Sequence, residues 1–396
     1  MCREPIRVLQ VVRAVPGGGA EGWLLKVTRR FDREHVKFHF CTLGPPSASF
    51  EEEVCAVGGR VLPCLLSHNF VTFPLRFRRI LRAERYDVVH SHVGWPSGVV
   101  LCQASLEGVP ARIAHSHNSS HLKPDSLLRS AWRAAMKAGI RKYATAGLAV
   151  SGMAAEYLFG PQWRSDPRFR LFRCGIDLEQ FRTAPSREEA RRELGIPADA
   201  PVVGHVGQFA PEKNHAFLLQ VAVEVLKSRP EVHFLMVGDG PLRPRIEAMA
   251  GELGIEKRVV FTGQRSDVPR SILSAMDVFA FPSVSEGLPI SLIEAQAAGL
   301  RCLVSDAVTA EASVVPGAVE YLPLSKGATP WAATLLEMLE RGLVGREIAL
   351  RTLEQTDFDI RQSCTELTRM YELGSATRRG MTVRVRAGVS GLAPPG

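Results

Sequence analysis

Short apolar runs alternate with longer helix-like stretches along almost the whole of this 396-residue chain. Strand-like runs at residues 6–12, 36–43, 87–92, 111–117 and 147–151 are separated by helical patterns at 20–31, 74–85, 95–106 and 127–143. Such βαβ alternation implies a parallel sheet with helices on both faces. Residues 183–200 interrupt it with a charged stretch punctuated by Pro185 and Pro197, which reads as a linker with a short helix. A second series then begins, with strand-like runs at 202–209, 232–238, 259–263, 278–281, 301–305 and 319–322. Two doubly wound α/β domains are therefore expected, facing each other across a cleft. In such sheets ligands bind at the carboxyl ends of the strands.

The polar motifs cluster at those ends. Glu286 and Glu294 stand with seven residues between them in FPSVSEGLPISLIEAQAAG, which follows the apolar run 278–281. Pro289 suits the first position of a helix, and Gly299 the position just past its end. One carboxylate then lies in a loop and the other about a turn inside the helix. The amides of Gly287, Leu288 and Ile290 can face the same space. Backbone donors and a helix dipole suit phosphate, and carboxylates suit hydroxyls, so a nucleotide sugar fits this pattern.

Gly17, Gly18, Gly19, Ala20 and Glu21 fill the turn between the first strand and the first helix. Glycines there let a phosphate or sugar approach the backbone, although a tight βα turn needs them equally. The turn is not GxGxxG, and no ribose-binding acid ends the second strand, which argues against a dinucleotide. Lys213, in GHVGQFAPEKN, lies at a helix start where it can hold a diphosphate, or can simply be a surface lysine.

Two histidine pairs, His90 with His92 and His115 with His117, end consecutive strands. Alternate strand residues share a face. The expectation is a polar cleft lining for sugar hydroxyls or phosphate. A metal site is one alternative, but no acid or cysteine joins the histidines at useful spacing along the chain, and plain packing of a single ring is another. The eight cysteines form no CxxC pair, which reads as reduced cytosolic thiols. No apolar stretch is long enough to span a membrane, and no signal-peptide pattern follows the first strand.

The net charge of +8 is uneven. The stretch 374–396 carries Arg378, Arg379, Arg384 and Arg386 with no acid and no periodicity, and reads as a disordered tail. Two helical segments are basic and amphipathic. One carries Arg76, Arg78, Arg79, Arg82 and Arg85; the other carries Arg129, Arg133, Lys137 and Arg141 beside Leu128, Trp132, Met136 and Ile140. Each suits either an anionic membrane surface or a core stripe with a solvated basic face. Nothing combines basic and aromatic residues as a nucleic-acid reader does.

Taken together, the motifs resemble glycosyltransferase family four, the retaining nucleotide-sugar enzymes of the GT-B fold. The residues that carry the resemblance are Gly18 to Glu21, the histidine strand ends, CGID at 174–177, Gly207 through Lys213, VGDG at 237–240, and Glu286 to Glu294. The stretches YDVVHSH and RIAHSHN look most like bacterial exopolysaccharide and capsule glycosyltransferases. The resemblance implies two Rossmann-like domains, at 1–180 and 201–357, with a linker at 181–200. It also implies a helix at 358–373 that crosses back onto the first domain.

The same resemblance implies roles for matching positions. Glu286 contacts donor-sugar hydroxyls, Glu294 holds the ribose, and Lys213 neutralises the diphosphate together with the amides of Gly287, Leu288 and Ile290, in a donor-binding turn that includes Pro289. Gly18 and Gly19 line the donor side, and either His115 or His117 is the strand-end histidine near the donor sugar. No metal or other cofactor is implied. The family usually places arginine where Gln208 stands; its loss weakens donor binding unless another cation, such as Arg173 or Arg265, reaches in. The implied partners are a UDP- or GDP-sugar and a saccharide or lipid-linked saccharide at the cytoplasmic membrane face. The competing readings are a nucleotide-sugar epimerase of the same fold, and a degenerate, non-catalytic partner subunit that Gln208 would favour. The lack of a dinucleotide fingerprint disfavours a dehydrogenase.

Overall fold

The computed structural model describes residues 4–13, 19–66, 72–118, 126–265 and 267–378. The first domain is a seven-stranded sheet of β1 (Ile6–Val12), β2 (Val36–Thr42), β3 (Arg60–Pro63), β4 (Val88–Ser91), β5 (Ala111–Ser116), β6 (Ala146–Ala149) and β7 (Phe169–Leu171). Its spatial order is β3-β2-β1-β4-β5-β6-β7, with every pair parallel. The second domain holds β8 (Val202–Val206), β9 (His233–Val237), β10 (Val259–Gly263), β11 (Val278–Phe281), β12 (Arg301–Val304) and β13 (Val319–Tyr321). These run parallel in the order β10-β9-β8-β11-β12-β13. Both orders reverse beside the first strand of the domain. That reversal opens a crevice at the carboxyl ends, where ligands of doubly wound sheets bind.

The helices of the first domain are α1 (Gly19–Thr28), α2 (Ala48–Ala56), α3 (Thr72–Glu84), α4 (Ser97–Leu106), α5 (Leu127–Tyr143) and α6 (Gly152–Phe159). Two short helices, α7 (Glu179–Arg182) and α8 (Arg187–Glu193), make the connection, as the charged stretch suggested. Buried Arg191 fixes α8 to the second domain, donating to the Ala275 carbonyl at 3.0 Å and pairing with Asp277 at 2.5 Å. Asp277 also accepts from the Val202 amide at 2.7 Å, so the buried guanidinium and carboxylate are both satisfied. The remaining helices are α9 (His215–Ser228), α10 (Arg243–Glu252), α11 (Ile290–Ala297), α12 (Ala328–Arg341), α13 (Arg346–Glu354) and α14 (Ile360–Arg378).

The last helix returns to the first domain. Ile176 and Asp359 form a parallel bridge, Ile176 donates to the Phe358 carbonyl at 2.7 Å, and Ile360 donates to the Ile176 carbonyl at 3.0 Å. From there α14 packs against β1, β4 and β5, burying Tyr371 completely. The helix starts at Ile360 and runs to Arg378, so 374–378 are helical where a tail was expected. The rest of that expected tail, 379–396, lies outside the described residues.

The two basic helices separate clearly. α3 buries Phe73, Phe77 and Leu81, and Glu107 pairs with both Arg78 and Arg82, so its stripe belongs to the core. α5 buries Ile140 alone and leaves Leu127, Leu128 and Trp132 exposed beside its basic residues. Among the described residues no helix is long and apolar enough to cross a membrane.

Gly175 marks where the crossover docks. A Cβ there would lie 2.5 Å from the Asp359 carbonyl carbon and 2.6 Å from the Ile360 nitrogen, and its own amide donates to Ser363 Oγ at 3.0 Å. Backbone cannot yield as a side-chain tip can. Gly175→Ala is therefore expected to destabilise the chain by about 1–3 kcal/mol, as overpacking does. Urea unfolding at equilibrium checks this, and an unchanged midpoint would mean that the crossover is not held so closely.

Candidate active site

Parallel strands deliver the polar residues of both sheets to one cleft. Beyond β11, the loop carrying Glu286 is tied down where the Val284 amide donates to the Glu212 carbonyl at 2.8 Å and Ser305 Oγ donates to the Ser283 carbonyl. That tie places Glu286 against Lys213, whose Nζ lies 2.6 Å from Glu286 Oε1 and 5.0 Å from the Phe281 ring centroid. Both side chains are largely buried, so the pair is screened little by solvent. Pro289 caps α11 rather than opening it, and the helix begins one residue later than expected, at Ile290. Glu294 is the fifth helical residue, about a turn inside as the spacing implied.

Glu294 does not stand alone. Lys26, near the end of α1 in the other domain, donates to Glu294 Oε1 at 3.1 Å. A second bridge is made by Glu311, which accepts from the Gly152 amide at 2.8 Å and pairs with Arg173. A third contact is steric. Gly287 is packed so closely that a Cβ would lie 2.0 Å from the His117 carbonyl oxygen and 3.3 Å from Asn118 Cα. Leu288 and Pro289 are buried beside it. The glycine is therefore required by the approach of the two domains.

The cation balance answers the question raised by Gln208. Arg173 is committed to Glu311, and Arg265 pairs with Asp267 at 2.7 Å on the surface. Each therefore has a carboxylate partner of its own, and Gln208 is partly exposed. Lys213 and Lys26 are the cations that the structure brings to the two glutamates. Gly19 opens α1 with no atom near its missing Cβ, whereas Gly18 lies outside the described residues.

The four strand-end histidines form one array, but they do not all line the cleft. His90 and His115 are completely buried, His92 and His117 partly exposed. The ring of His115 is walled in by Trp23 and Phe172, with edge-on centroid distances of 5.7 and 5.3 Å. Of the two candidates for the histidine near the donor sugar, His115 is thus enclosed in this structure and His117 is the partly exposed member at the cleft edge. Burial lowers the His90 pKa to about 3 and that of His117 to about 4, and pushes His92 and His115 well below the ordinary histidine value. All four are neutral near pH 7. Gln10 and Tyr371 complete the array. Tyr371 OH lies 2.9 Å from His90 Nδ1, Gln10 Nε2 donates to that hydroxyl at 3.1 Å, and Gln10 Oε1 faces His92 Nε2 at 2.9 Å. Cys174 also reaches it, with Sγ 3.9 Å from His117 Nδ1, so a cysteine does join the histidines in space.

Residues 17–180 match the family described as Glycosyltransferase Family 4, and residues 186–342 match the family described as Glycosyl transferases group 1. The Bacillus subtilis protein EpsF, provisionally described as a glycosyltransferase, is 34% identical over 93% of this chain and 97% of its own length. The chain belongs to this glycosyltransferase family. Staphylococcus aureus CapH, a capsular polysaccharide biosynthesis glycosyltransferase, is 26% identical over 92% of this chain and 98% of its own. An Escherichia coli UDP-Gal:alpha-D-GlcNAc-diphosphoundecaprenol alpha-1,3-galactosyltransferase is 28% identical over 58% of this chain and 60% of its own. The structure of Anabaena HepE with UDP superposes with a TM-score of 0.74 at 18% identity, covering 93% of this chain and all of that one. The GT-B architecture is thereby established.

The approach of Gly287 to the His117 carbonyl gives a direct check. Gly287→Ala should drive the Glu286 loop away from the His117 carbonyl and lower the rate of glycosyl transfer at least tenfold, about 1.4 kcal/mol of barrier. Its thermal midpoint should fall as well, since the added Cβ meets backbone even more closely than at Gly175. Unchanged turnover would show that this contact is not needed in the working state.

Proposed function

We propose that the chain transfers a sugar, with retention of anomeric configuration, from a uridine diphosphate sugar to a lipid-linked saccharide during surface polysaccharide assembly. The observation that carries this reading is the cleft itself: two lysines and two glutamates, drawn from both domains, meet beside the first turn of α11. Lys213 holds the diphosphate once the ligand displaces Glu286. Glu286 then accepts from donor-sugar hydroxyls, and Glu294, released from Lys26, accepts from the ribose. Each charge-assisted hydrogen bond of this kind is worth about 1.5–3 kcal/mol.

The leaving diphosphate is neutralised by these lysines and by the α11 dipole, which the chain supplies without a divalent ion. Among the described residues no carboxylate other than Glu286 and Glu294 is needed for the chemistry. The acceptor hydroxyl approaches on the leaving-group side, its proton passes to a donor phosphate oxygen, and the new C–O bond forms on the face from which the old one breaks. UDP as the donor nucleotide rests on the likeness to HepE and to the galactosyltransferase. The membrane-borne acceptor rests on α5, whose exposed Leu127, Leu128 and Trp132 share one helix with Arg129, Arg133, Lys137 and Arg141. Such a face suits the headgroup region of an anionic bilayer, at the cytoplasmic side.

Calorimetric titration of UDP, GDP and ADP into the wild type and Glu294→Ala tests the donor site. One nucleotide, UDP, should bind with micromolar affinity and at least tenfold more weakly to the variant, about 1.4 kcal/mol. No binding by a folded sample would favour the non-catalytic partner subunit that Gln208 raises.

A further inference from the structure

The histidine array contains more nitrogen and sulfur than glycosyl transfer uses. Its hydrogen bonds fix the tautomers in sequence. Gln10 donates through Nε2 to Tyr371, so its Oε1 is the atom facing His92 Nε2. An amide oxygen only accepts, so His92 carries its proton on Nε2. In a neutral ring Nδ1 then accepts, and His117 Nε2 donates to it at 2.9 Å. His117 Nδ1 is left as a bare lone pair beside Cys174 Sγ.

The separation of 3.9 Å between Cys174 Sγ and His117 Nδ1 is longer than an ordinary hydrogen bond. It is close to the roughly 3.6 Å that metal–sulfur and metal–nitrogen bonds of about 2.3 and 2.0–2.1 Å subtend at a tetrahedral centre. A third donor lies within reach. His115, His117 and Cys174 offer ligand atoms that all lie within 4.8 Å of one another. His115 is completely buried, yet neither of its ring nitrogens has a partner among the described residues. Buried polar atoms are seldom left so, and an ion is one of the few things that satisfies them.

We propose that His115, His117 and Cys174 form a binding site for a borderline-soft divalent cation of the zinc type. Thiolate and imidazole are the donors such ions prefer, and three protein ligands leave the fourth tetrahedral position to water. The His92–Gln10–Tyr371 chain behind His117 is the outer shell that orients a ligating imidazole and fixes its tautomer. Binding forms a metal–sulfur bond and releases the Cys174 thiol proton to solvent. Partly exposed His117 at the cleft edge gives the ion a way in. The ion would tie the end of β5 to the segment after β7, fixing the carbonyl against which Gly287 packs. The proposal stands independently of the donor and acceptor assigned above.

Cobalt(II) titration of the full chain, stripped with a chelator, tests it. The expected result is one equivalent bound, with the d–d absorption of a tetrahedral centre and a thiolate-to-cobalt charge-transfer band, both erased by Zn²⁺. Cys174→Ser should lose the charge-transfer band and bind Co²⁺ at least tenfold more weakly, and His115→Ala should lose the tetrahedral d–d intensity. Far-UV circular dichroism and thermal unfolding of each variant check that it is folded. A wild type without the band overturns the proposal. So does a band that survives in Cys174→Ser, which would place the thiolate at the neighbouring pair Cys41 and Cys64. Should the variants not fold, mass-spectrometric mapping of alkylated thiols in the wild type decides. Zn²⁺ should slow modification of Cys174 but not of exposed Cys55, and equal rates with and without Zn²⁺ at Cys174 contradict the site.

Discussion

The packing of Gly287 on the His117 carbonyl sets the geometry of everything else in the cleft. Each parallel sheet brings its strand ends to one edge, and the two edges meet where a residue without a side chain lets backbone touch backbone. From that contact the rest follows. The loop before α11 comes under the first domain, Glu294 comes within reach of Lys26, and Glu311 reaches the start of α6. Residues 268 positions apart, Lys26 and Glu294, are brought into contact. The crossover of α14, anchored at Ile176 and Gly175, holds the two domains in the same register from the far side.

The charges in the cleft are arranged for exchange of partners. Lys213 and Glu286 are nearly buried, and breaking such a pair without replacement leaves an uncompensated charge. A diphosphate sugar offers a replacement to both at once, anionic oxygens for the lysine and hydroxyl donors for the carboxylate. Under the proposed function the same exchange would apply to Lys26 and Glu294, coupling ligand binding to the interface between domains. Glycosyl transfer needs this kind of site, because leaving-group charge develops where the cations already stand.

Much of this was legible in the sequence. The strands at 259–263 and 278–281 and the helix at 127–143 coincide with β10, β11 and α5, because the strands are short, mostly apolar runs and the helix keeps a regular amphipathic period. The edge strands β3 and β7 escaped notice, being four and three residues long and half exposed, with too little periodicity to register. Glu286, Glu294 and Lys213 stood out because loop and helix-start positions give them a local context. Lys26 did not, since a lysine near the end of an amphipathic helix looks like any other until the second domain arrives. Periodicity placed the histidine pairs on shared faces but could not show that Trp23, Phe172 and Tyr371 cover two of the four rings. Cys174 joins them only through the fold, fifty-seven residues from His117.

The division of labour between Lys213 and Glu286 is the central claim, and comparing UDP with UDP-sugar affinities in two variants tests it most directly. Lys213→Met should weaken UDP and UDP-sugar alike, because the diphosphate is common to both. Glu286→Gln should weaken the UDP-sugar at least tenfold, about 1.4 kcal/mol, and leave UDP no weaker, since the freed lysine still meets the diphosphate. If Glu286→Gln weakened UDP as much as Lys213→Met does, the carboxylate would not be reading the sugar, and the assignment of the two sides of the cleft would be wrong.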